Sequence, residues 1–186
     1  HGGIEVTINQ IIRVTRPACE DVQVLVANRQ LRTEVVNVEG VPVTKVFDLG
    51  RFRSSPLAPA FPLWMKKCAR KMDILHVHCP NPIAGVSHLL ARPEGKLIVH
   101  YHSDIVRQAA LLKLYRPFLE RFLDRAGRII ATSPPYIQSS PFLSKRADKC
   151  VPIPFGVDLD KYARTEEVDR QVAEIHEKYG DNLILF

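Results

Sequence analysis

Cysteine is scarce in this chain of 186 residues: Cys19, Cys68, Cys79 and Cys150 lie far apart, and no two form a Cys-x-x-Cys pair. That spacing fits neither a cysteine-built zinc site nor a dense disulfide framework, and it suits a reducing compartment. Long apolar runs are also missing, since no stretch approaches the roughly 20 residues that cross a bilayer, and the opening residues lack the pattern of a secretion signal. The expected location is cytoplasmic, with any membrane involvement confined to lying on the surface. Tryptophan occurs once, and no basic segment is interleaved with aromatics in the manner of a nucleic-acid module, so no nucleic-acid partner is expected.

What is present sets the class. A 46% hydrophobic composition supports one sizeable core. The net charge of +6 comes from 26 basic and 20 acidic side chains. It concentrates between Arg107 and Arg128, through Lys113, Arg116, Arg121 and Arg125. This reads as a solvated helix face or as a surface for an anionic membrane.

The residues Ile4, Ile8, Ile11 and Ile12 recur at helical spacing and predict a helix beginning after Gly2-Gly3. Strands are expected over 22–27, 34–38 and 43–47, with the turn between the last two at Gly40-Val41-Pro42. A helix is expected over 63–71, a buried strand over 73–78, a helix over 83–91, and a second buried strand ending at His102. A helical stripe then runs from 105 to 125, which Pro117 should kink or split. Strands over 128–132 and 149–153, a short helix capped by Ser133, a helix over 168–179 and an apolar strand start over 182–186 complete the pattern. Strands alternating with helices imply an α/β fold with a Rossmann-like, doubly wound, mostly parallel sheet.

In such sheets ligands gather at the carboxyl ends of the strands. The run Leu97-Ile98-Val99-His100-Tyr101 stops at His102-Ser103-Asp104, which makes His102 the leading candidate for chemistry. Ser103 and Asp104 are candidates for hydroxyl contacts, with Asp104 equally suited to capping the next helix. His76, His78, His100 and His102 could instead bind zinc. No carboxylate or cysteine is spaced to complete such a site, so no metal is expected, and His76 and His100 are taken as hydrogen-bonded core residues.

Five segments occur together in one order: Gly2-Gly3-Ile4-Glu5, the 73–78 strand DILHVH, His100-Tyr101-His102-Ser103-Asp104, the 128–133 strand RIIATS, and the 151–158 stretch VPIPFGVD. In this the chain resembles group 1 (family 4) glycosyltransferases. The resemblance implies one half of a GT-B fold, in which two Rossmann-like domains face each other across a cleft. Residues 1–180 resemble the amino-terminal, acceptor-side domain without its first strand, and 181–186 the entry to a carboxyl-terminal donor-binding domain. The chain is on this reading a fragment, inactive by itself.

The implied activity is transfer of a sugar from a UDP- or GDP-linked donor to an acceptor hydroxyl, with retention at the anomeric carbon and without a metal or other cofactor. The acceptor would be a sugar, a lipid-linked molecule or a polysaccharide. By the same resemblance His102 is the active-site histidine, Gly2 and Gly3 lie under the donor diphosphate, and Ser133 and Gly156 line the cleft. Phe155 departs from the family, where asparagine is the commoner residue. Two alternatives stay open: a non-catalytic module binding an acceptor or a membrane, and a GT-B nucleotide-sugar epimerase.

Overall fold

Alternate residues of the central strands carry the apolar side chains, and that period of two decides which way the sheet faces. The computed structural model describes residues 3–28, 30–52, 55–105, 109–156, 159 and 163–183. These fall into two compact units, 1–155 and 156–186.

The first unit begins with α1 (Gly3–Thr15), β1 (Val24–Asn28), β2 (Glu34–Val38) and β3 (Val41–Phe47). It continues with the short β4 (Arg51–Phe52) and β5 (Ser55–Pro56), then α2 (Phe61–Cys68), β6 (Ile74–Cys79), α3 (Pro82–Ala91) and β7 (Lys96–Tyr101). α4 (Ala109–Arg125), β8 (Arg128–Ala131), α5 (Pro134–Ser139) and β9 (Cys150–Pro152) close it. The α/β, Rossmann-like character is as the alternation implies: β6, β7, β8 and β9 form a parallel sheet in that order, flanked by helices. The remaining long strands form a separate three-stranded sheet in the order β1-β3-β2, in which β3 is parallel to β1 and antiparallel to β2.

One face of the parallel sheet supplies Val77, Cys79, Leu97, Val99, Tyr101, Ile129 and Ala131 to the core. Against them pack Ala84 of α3, Leu119, Phe122 and Leu123 of α4, and Ile137 of α5. Full burial of side chains of this size is worth about 1.5–3 kcal/mol each, which makes α4 the main clamp on the sheet.

Two local expectations are corrected. The hairpin turns at Glu39-Gly40, not at Gly40-Val41-Pro42, because both residues take positive φ (50° and 81°), the conformation of a two-residue turn matched to strand twist. Pro42 sits in β3 one residue before β1 begins to pair at Val43, so its missing N–H interrupts no bond on that side. Pro117 does not split α4, which runs unbroken from Ala109 to Arg125. Pro117 and Lys113 are both exposed, so water can serve the carbonyl that the proline leaves without a donor.

Past α5 the chain is fastened by Arg146, which is 8% exposed. Its guanidinium donates from Nε to Asp124 Oδ1 (2.7 Å), from Nη1 to the Phe142 carbonyl (2.9 Å) and from Nη2 to the Glu120 carbonyl (3.2 Å). The second unit holds α6 (Glu166–Tyr179), whose first turn is capped by the Thr165 hydroxyl accepting from the Val168 N–H at 3.3 Å. The expected strand start over 182–186 lies mostly outside the described residues.

Removing the Arg146 guanidinium takes its hydrogen-bond partner from the Phe142 carbonyl near the core and its ion pair from Asp124. The variant Arg146→Met is expected to lose about 2–3 kcal/mol of unfolding free energy in urea titrations. Arg164→Met, which breaks the exposed 2.6 Å pair with Asp169, should change it by less than about 0.5 kcal/mol.

Candidate functional site at the carboxyl edge of the parallel sheet

The strand ends that converge on one edge are Cys79, Tyr101, Ala131 and Pro152, and the backbone ladder continues one residue further through His102 N–H to the Cys79 carbonyl (2.9 Å) and Ile153 N–H to the Ala131 carbonyl (2.8 Å). His102 therefore sits just beyond β7, held by a main-chain bond at the edge where ligands collect.

The pairing of β6 with β7 places His78 directly beside His100. Period-two alternation then puts His76, His78, His100 and His102 on one face of the sheet, opposite the core face. Their rings form a continuous stack: His76 to His78 at 4.7 Å between centroids, His78 to His100 at 5.2 Å, and His100 to His102 at 4.4 Å, with planes 21°, 22° and 4° apart. Phe155 lies over the end of the stack, 5.5 Å and 9° from His102 and 6.0 Å and 13° from His100. Within it His78 Nδ1 and His102 Nε2 are hydrogen-bonded at 2.9 Å.

The expectation that His76 and His100 are hydrogen-bonded is corrected. His76 Nε2 and both ring nitrogens of His100 are buried without a partner among the described residues. Facing the sheet's histidine side, they pack as flat rings against neighbouring rings. Candidate ligand nitrogens of His76, His78 and His100 lie within 4.8 Å of one another.

All four rings are held below the ordinary imidazole pKa. Burial is the main cause at each: it brings His78, with further repulsion from the other three rings, down to about 3, and His100, with repulsion from His102 and His76, to about 4. His76 is lowered by burial and then by His102, and His102 by burial. The stack is therefore neutral near pH 7.

Asp104 belongs to a second cluster. Its Oδ1 accepts from the Tyr101 hydroxyl (2.9 Å) and the Ser140 hydroxyl (2.8 Å), while Ser140 Oγ accepts from the Phe142 and Leu143 N–H groups (3.4 Å each). The carboxylate thus ties the end of β7 to the end of α5, and burial with the adjacent Asp104 charge pushes the Tyr101 hydroxyl pKa far up. The segment through which Asp104 would cap α4, 106–108, lies outside the described residues. Ser103, between the two clusters, is exposed.

Ser133 caps α5, its Oγ accepting from the Tyr136 N–H at 3.3 Å. Gly3 opens α1, with open space where a side chain would stand. Gly2 lies outside the described residues, as do Val157 and Asp158, and Gly156 belongs to the second unit. Outside the zinc alternative no task falls to His78 from the sequence, and none to Tyr101 or Ser140. His78 could have been found by asking which register of the two histidine-bearing strands aligns both pairs on one face.

A Rossmann-like half with a histidine at the carboxyl edge of its parallel sheet belongs to a recognisable class. Residues 2–156 match the glycosyl transferase 4-like domain, and the chain belongs to that family. Over 188 aligned positions covering the whole chain it is 36% identical to the O-antigen chain mannosyltransferase C of Escherichia coli, and over 121 positions, 65% of the chain, 36% identical to the D-rhamnosyltransferase WbpZ of Pseudomonas aeruginosa. It spans 49% of the first relative and the match covers 31% of the second.

Depressed histidine pKa values carry a pH signature. Unfolded histidines titrate near 6.5, so below that pH the unfolded chain binds protons that the folded chain refuses, and stability falls as pH drops toward the folded values. Between pH 7 and pH 5 the loss should be about 1 kcal/mol for each of His78 and His100, allowing for screening at the edge of the sheet. Urea titrations at the two pH values should show a loss about 1 kcal/mol smaller in His78→Asn than in the parent; equal losses would refute this origin.

Proposed function

We propose that the chain is the acceptor-side half of a retaining hexosyltransferase, which moves a mannose-like sugar from a nucleotide-diphosphate donor to a hydroxyl of a saccharide acceptor. The observation that carries this reading is the placement of His102, its imidazole pKa lowered by burial, at the carboxyl edge of the parallel sheet in a chain 36% identical to a protein named as an O-antigen chain mannosyltransferase. Sugar transfer needs polar groups around an oxocarbenium-like sugar, and a cation there would oppose the charge that develops. An uncharged ring meets that demand, accepting or donating a hydrogen bond to a sugar hydroxyl without adding positive charge.

Phe155, 48% exposed beside His102, offers an apolar face on which a pyranose ring can rest. In this reading the donor is UDP- or GDP-linked, no metal takes part, and the donor diphosphate is bound by a second domain. Lys113, Arg116, Arg121 and Arg125, all exposed on α4, would favour an anionic lipid-linked or polysaccharide acceptor at a membrane surface. No helix among the described residues is long and apolar enough to cross a membrane.

In an enzyme carrying both halves, His102→Ala should reduce kcat by about 100-fold or more for sugar transfer from a GDP- or UDP-sugar. The melting temperature should stay within a few degrees of the parent. The reading is overturned if the folded parent transfers no sugar and hydrolyses no donor across a panel of nucleotide sugars. It is overturned equally if His102→Ala turns over at the parental rate.

A further inference from the structure

The proposed transfer employs His102 and leaves the other three histidines without a task, yet only one of them is hydrogen-bonded to it. His78 Nδ1 and His102 Nε2 lie 2.9 Å apart. A neutral imidazole carries one N–H and one bare nitrogen, so a bond between two neutral rings joins the N–H of one to the bare nitrogen of the other. Once Nε2 of His102 is engaged, its Nδ1 is the nitrogen left for a substrate, and no hydrogen bond to it is made among the described residues. The two ends of the ring are then complementary. If His78 donates, His102 Nδ1 carries the proton and can donate to a sugar oxygen; if His102 donates, Nδ1 is bare and accepts from a sugar hydroxyl.

The packing prevents the ring from escaping this arrangement. His100 lies 4° from parallel at 4.4 Å and Phe155 9° from parallel at 5.5 Å, so a swing of the His102 ring about its side chain would break two stacking contacts and the hydrogen bond together. His100, 4% exposed with both nitrogens unpartnered, competes for no proton and acts as a flat wall. From this geometry we infer that His78 is a positioning residue, which holds the His102 imidazole in one orientation and one tautomer and so fixes whether Nδ1 donates to or accepts from the sugar. Its importance for catalysis rests on the function proposed above; the lock on the tautomer does not.

Long-range proton–nitrogen correlation spectra of the histidine rings in this chain near pH 7.5 test the lock directly. In the parent His102 should show one protonated and one bare nitrogen. In His78→Leu its two nitrogens should move toward intermediate, exchange-averaged positions. In His78→Asn, whose side-chain amide stands where Nδ1 of the histidine was, a single tautomer should return. Unchanged His102 signals in His78→Leu would overturn the inference, and His78→Asn keeps the test decisive if the leucine variant folds poorly.

With both halves present, His78→Leu should lower kcat about 10-fold to 100-fold while the donor KM changes less than about twofold, as for other residues that orient a functional ligand. His78→Asn should recover most of the loss. An asparagine variant as damaged as the leucine variant, or a loss confined to KM, would overturn the positioning role. A parent without transferase activity would refute the proposed function while leaving the tautomer lock to be decided by the spectra.

Discussion

The register that sets His78 beside His100 governs the rest of the site. A shift of one residue in that pairing would turn every side chain of one strand to the other face. It would bring the histidines of that strand against Phe122 and Leu123 and expose core residues such as Val99 and Tyr101. The gain from burying large apolar groups such as Val99 and Tyr101 against the helices makes the observed register the stable one. The histidine stack is thus a consequence of how the core is packed on the opposite face.

The same constraint explains why the site is rigid on one side and open on the other. Asp104 binds the Tyr101 and Ser140 hydroxyls, so the turn after β7 is tied to the body of the domain within three residues of the strand end. Arg146 repeats the device one layer away, joining the segment after α5 to α4. Between these ties lie His102, half-buried, and Ser103, exposed. A ring held by its own main-chain bond, a partner imidazole and two stacking neighbours loses little freedom when a substrate arrives, which is the meaning of preorganisation.

Much of this was legible from residue order. The alternation of strands and helices, the place of His102 at a strand end, and the Ser133 cap follow from patterns that act over a few residues. The turn at Glu39-Gly40 was harder, because a glutamate at positive φ is uncommon and the glycine invites the turn to be drawn one residue late. Pro117 misled because the rule against proline within helices weakens where the freed carbonyl meets water. The division of the strands into two sheets and the bond between His78 and His102 depend on pairing between distant segments. No local pattern encodes such pairing: each histidine pair declared a face, but only the register between strands made it one face.

The chemistry of this edge also argues for a division of labour in the proposed reaction. The residues that line it, 79–82, 101–105, 131–133 and 152–155, include no lysine or arginine, and the four imidazoles are neutral near pH 7. A departing diphosphate needs positive charge or helix amino termini aimed at it, and the neutral histidine stack supplies no positive charge. What such a surface offers is hydrogen bonding to hydroxyls and an apolar face for a sugar ring. In the proposed reaction a cation here would oppose the positive charge that forms on the sugar. Buried, stacked and uncharged histidines suit this domain, in that reaction, to holding the sugar rather than the anion.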